Sequence, residues 1–112
     1  MAKKRIVTLN LDLEKINEDV LEEIATNIEE KIRKLLSKTL IASRSYDADI
    51  VVSLEKKEDR VDVSIDIELG GELGDVVDYD SVLQGVIKEV SKFVEQELSR
   101  FSKKKEVVEE NS

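Results

Sequence analysis

Val61, Val63, Ile65, Ile67 and Leu69 alternate with Asp62, Ser64, Asp66 and Glu68 in a strict period of two. Successive side chains of a strand point to opposite faces, so this run predicts a strand with one dry face and one acidic face. A second strand is predicted just before it, with Ala48, Ile50, Val52 and Leu54 on one side and Asp49, Val51, Ser53 and Glu55 on the other. The residues between them, 55–60, are charged and lack Gly, which predicts a hairpin loop longer than the tight two-residue type. Near the start, Val7, Leu9 and Leu11 alternate with Thr8 and Asn10. They predict a short first strand after a frayed basic segment, with Val7, Leu9 and Leu11 pointing inward.

Two longer stretches change period. Ile16, Val20, Leu21, Ile24, Ile28, Ile32, Leu35 and Leu36 recur at three and four, the stripe of an amphipathic helix. Asp12 or Asn17 is placed to cap it, with Glu18 and Asp19 in the first turn and Lys31, Arg33, Lys34 and Lys38 towards the end, an order that complements the helix dipole. The period lapses over 37–46, where the chain turns. Val82, Leu83, Val86, Ile87, Val90, Phe93, Val94, Leu98 and Phe101 form a second stripe, with Gly85 beside it. A helix-interior glycine costs about 1 kcal/mol relative to alanine, so Gly85 points either to close approach of another backbone or to an unconstrained surface position.

The order strand, helix, strand, strand, helix, with a right-handed crossover, places the first strand parallel to the second and the third between them. The expected fold is α+β: a three-stranded, antiparallel-containing mixed sheet with two helices on one face, a truncated ferredoxin-like unit. Thr8, Asn10, Asp49, Ser53, Asp62, Ser64, Asp66 and Glu68 are expected on the open face. One domain spans 1–101, and 102–112, charged and aperiodic, is expected to be a disordered tail. The first strand is then a sheet edge with unpaired main chain, and such edges are natural sites for strand addition. Thr8, Leu9, Asn10 and Leu11, together with Gly85, form the expected partner interface.

Composition narrows the chemistry. Among 112 residues there is no Cys and no His, which removes thiol nucleophiles, disulfides, thiolate metal sites and the commonest general base. Lys and Arg total 18 against 26 Asp and Glu, a net charge of -8, so no direct nucleic-acid or anionic-membrane partner is expected. The basic start leads into alternation and not into the apolar core of a signal peptide, and no run approaches the ~20 apolar residues of a membrane span. A cytoplasmic protein is expected.

Candidate sites are sparse. Gly70, Gly71 and Gly74 end the third strand but have neither phosphate-loop nor dinucleotide spacing, and their charged neighbours are acidic. Asp75, Asp78 and Asp80 offer oxygens for a divalent cation, but aspartates before a helix also serve caps and the helix dipole. Asp62, Asp66 and Glu68 share a strand face, and a solvated face explains them more simply than acid-base chemistry, which needs a cleft. No catalytic residue, metal site or cofactor is expected, and the chain reads as a non-enzyme.

The element order, with ADIVVSLEKKEDRVDVSIDIEL as its hairpin and VDYDSVLQGVIKEVSKFVEQELSRF as its last helix, resembles a family of small archaeal proteins of unassigned function. It is also similar to the small dimer-forming subunit of the archaeal KEOPS complex. That resemblance implies a non-catalytic protein that pairs through its sheet, in an assembly that makes threonylcarbamoyladenosine in tRNA with catalysis elsewhere. The small subunit's last helix usually carries an Arg and a downstream Asn for docking the catalytic subunit, and 81–92 contains neither. The expected function is therefore a protein-binding accessory paralogue of that small subunit. The alternative is a homodimeric structural or regulatory protein of an unrelated pathway.

Overall fold

The computed structural model describes residues 2–39, 47–70 and 79–102. They form β1 (Ala2–Leu9), a 3-10 turn (Leu13–Lys15), α1 (Glu18–Thr39), β2 (Asp47–Lys56), β3 (Arg60–Gly70) and α2 (Tyr79–Ser99). The sheet order is β1-β3-β2. β3 is antiparallel to both neighbours, so every bonded pair is antiparallel, and β1 and β2 share a direction without touching. This is the expected α+β order, with both helices on one face.

β3 carries the core as its alternation requires: Val61, Val63, Ile65, Ile67 and Leu69 are buried against the helices. α1 contributes Ile24, Ile28, Ile32 and Leu36, and α2 contributes Leu83, Val86, Val90, Val94 and Leu98. Asn17 starts α1, its side-chain oxygen accepting from the Val20 N–H at 2.9 Å. Asp12 instead precedes the 3-10 turn without a side-chain cap bond. Lys56, at the end of β2, donates to the carbonyls of Leu13 and Ile16, which ties the turn before α1 to the sheet.

Two expectations are corrected. The β2–β3 hairpin is tight: Lys56 pairs with Val61 and the Lys57 N–H donates to the Arg60 carbonyl at 2.8 Å, leaving Glu58 and Asp59 as the loop. Arg60 is held there by both Asp59 and Asp62, which extends the ladder without a glycine. The first strand starts earlier and faces the other way. Its basic residues belong to β1, where Ile6 lies opposite buried Val63, while Val7 and Leu9 lie opposite Asp62 and Arg60 on the outer face. They are 50% and 55% exposed.

Leu11 is buried all the same, because Asn10 takes a left-handed φ of 61° and restores the inward side one residue late. Beyond it Leu11 bridges Ser102, the first residue of the expected tail. The turn expected over 37–46 begins later, since α1 runs on through Thr39; its remainder at 40–46, the glycine-rich stretch 71–78 and the tail 103–112 lie outside the described residues. No helix among the described residues is long and apolar enough to cross a membrane.

Candidate protein interface

Among the described residues β1 has one strand neighbour, so the main-chain groups of alternate residues face away from β3 along an edge that no described strand pairs. Its first half is basic, with Lys3, Lys4 and Arg5 exposed. Its second half presents Val7 and Leu9 on the outer face. These two, with Val51 of β2, are the large hydrophobic residues left exposed among the described residues. β2 forms the other edge, with Asp47, Asp49 and Glu55 on the same outer face, so one side of the sheet is basic and the other acidic.

Of the residues expected at the interface, Thr8 is half-buried on the helix-facing side, and Leu9 and Asn10 are exposed. Leu11 is not available, since its side chain is in the core and its backbone is bridged to Ser102. Gly85 is exposed and lies near the other end of β1, one residue after Gln84, which lines a groove with Lys3 and Lys4. Among the described residues a Cβ added there meets nothing within 4 Å, so no other described element brings its backbone close to it.

Between the two edges, Asp62 sits on the outer face at 6% exposure. Arg5 donates to it from β1 at 3.0 Å and Arg60 from its own strand at 3.1 Å. Burial, the largest single influence, pushes the carboxyl up, but the hydrogen bonds and charges of the two arginines together hold it below its ordinary value. The same hydrogen bond raises Arg60. Asp66 stands 4.0 Å from Lys3, and Glu68 is exposed, so the acidic run is not a cluster of free carboxylates. Asp80 is in the first turn of α2, and Asp75 and Asp78 lie outside the described residues. Among the described residues no group of three or more Asp, Glu, His or Cys is placed to hold a metal ion.

Sequence reasoning missed three features here: the outward turn of Val7 and Leu9, the Arg5–Asp62–Arg60 bridge, and a groove of about 590 Å³ between β1 and α2. Lys3, Lys4, Lys88 and Lys92 line that groove. The i, i+4 spacing of Lys88 and Lys92 was a signal for one wall, since such residues share a helix face. The rest depends on the register of β1. No protein-family model, curated protein or solved structure matches the chain.

Proposed function

We propose that this chain is a non-catalytic subunit that binds another protein by strand addition at β1. The observation that carries the reading is an edge strand of eight residues that leaves Val7 and Leu9 about half exposed beside main chain that no second strand among the described residues pairs. Strand addition would satisfy those groups and cover both side chains, with main chain supplying affinity and the apolar pair supplying register. The absence of His and Cys supports a binding role over a chemical one. By the resemblance to the KEOPS small subunit, the partner is that subunit and the role is accessory to tRNA threonylcarbamoyladenosine synthesis.

A second copy of this chain is the other reading, and β1 itself favours it. Antiparallel pairing centred on Ile6 would set Lys3 opposite Leu9 and Arg5 opposite Val7, so that no like charges meet. Sedimentation at micromolar concentration, alone and with a KEOPS small subunit, separates the two: a mixed complex supports the first, a dimer alone the second. A monomer under both conditions contradicts strand addition.

A further inference from the structure

The groove between β1 and α2 lies under the outer edge of β1. On α2, Phe93 and Glu97 face α1, with the Lys31 ammonium 5.7 Å from the Phe93 ring centre and the Asn27 amide donating to Glu97 at 2.8 Å. Gln84, Lys88 and Ser91 fall on the opposite flank, the one that meets Lys3 and Lys4. A strand laid along the β1 edge therefore directs alternate side chains towards this groove. Lys4 lies opposite buried Ile65, on the helix side of the sheet, and a residue added opposite Lys4 shares that side. Residues added opposite Val7 and Leu9 point to the outer face instead.

The groove is also basic. Four lysines line it around Leu83 and Ile87, and among the described residues Asp80 is its acidic lining residue. Lys3 stands 4.0 Å from Asp66, whereas Lys4, Lys88 and Lys92 have no ion-pair partner among the described residues. On a chain of net charge -8, three ammonium groups left without a counter-charge make this a place where negative charge from outside is favourable. We propose that the strand added at β1 is acidic on its helix-facing positions: an extended segment that brings Asp or Glu to Lys4, Lys88 and Lys92, and apolar side chains to Val7 and Leu9. This rests on β1 being the partner edge and adds the chemistry that selects the partner. A second copy of this chain fits less well, since antiparallel pairing centred on Ile6 sets Thr8 opposite Lys4 and gives the lysines no counter-charge.

Three capped synthetic peptides test it on the full chain, each of about eight residues, a typical strand length, with valine at alternate positions and glutamate, glutamine or lysine at the others. Fluorescence anisotropy measures binding, and NMR shifts of the β1 amides and of the Lys88 and Lys92 side chains report where each peptide lies. The glutamate peptide is expected to bind about tenfold more tightly than the glutamine peptide, with the lysine peptide weakest. That margin should vanish in about 0.5 M salt and in the Lys88→Glu, Lys92→Glu variant, but persist in Lys34→Glu, Lys38→Glu, which changes the net charge equally on α1. Equal affinity for the glutamate and glutamine peptides, with β1 shifted by both, overturns the acidic selection and leaves strand addition standing. A margin lost equally in both variants overturns it too, since the attraction is then to basic charge in general. Undisturbed β1 amides with every peptide at millimolar concentration overturn it together with strand addition, so the two failures are told apart. The peptide and salt comparisons use wild type alone and give an answer even if a variant does not fold.

Discussion

Asp62 lies on the side of the sheet away from the helices, where its place in the alternation leads one to expect a solvated carboxylate. Its burial comes from Arg5 and Arg60 closing over it, and only the β1 register brings Arg5 within reach. A carboxyl held below its ordinary value stabilises the fold fully above the unfolded-state pKa and loses that contribution as pH falls through the lower folded value. The expected outcome is that wild type melts higher than Asp62→Asn at neutral pH, where the variant leaves two arginines facing each other. The gap should close below about pH 4, the unfolded carboxylate range. Thermal melts against pH check this, and a gap that persists into strong acid would contradict it. Gly85→Ala belongs to the same scale. With nothing within 4 Å of the added Cβ, it should stabilise α2 by about 1 kcal/mol and raise the melting temperature by about 4–8 °C. Weaker partner binding in the same variant would place Gly85 in the interface.

Among the elements, β3 and the two helices were legible because each has one periodic apolar stripe and no competing choice. Ile24, Ile28, Ile32 and Leu36 are buried, as their spacing requires. β1 was not legible in its facing. Ile6, Val7 and Leu9 put apolar residues on both sides of a short strand, so alternation alone does not choose between them. The choice is made by pairing with β3 and by the left-handed turn at Asn10, which lets Leu11 enter the core from an odd position. The tight hairpin escaped for a related reason, since its ladder is extended by arginine–carboxylate bonds and not by glycine turn chemistry. Ile6→Asp should therefore cost on the order of 1–3 kcal/mol, because it sets a carboxylate opposite buried Val63. Val7→Lys, opposite Asp62, should leave stability within about 0.5 kcal/mol. Denaturant melts decide this, and the reverse ranking would mean that β1 is turned over.

At the scale of the whole molecule, two helices close one face of a small sheet, and among the described residues nothing covers the other face or pairs with the outer edges of β1 and β2. No partner could be read from the sequence beyond a resemblance, because an interface of this kind is made of main chain, two apolar side chains and a charge order, none of which forms a motif. The claim at the centre of this account is that the β1 edge, through Val7 and Leu9, is where a partner strand adds. Sedimentation at micromolar concentration of wild type and of the Val7→Lys, Leu9→Glu double variant, each alone and with a KEOPS small subunit, tests it most directly. Each new charge faces an opposite one in its own sheet, Asp62 and Arg60, so the variant should keep its fold and its melting temperature. The account predicts a complex for wild type, hetero- or homodimeric, that is lost in the folded variant; a wild-type monomer throughout, or a variant that associates as well as wild type, would contradict it.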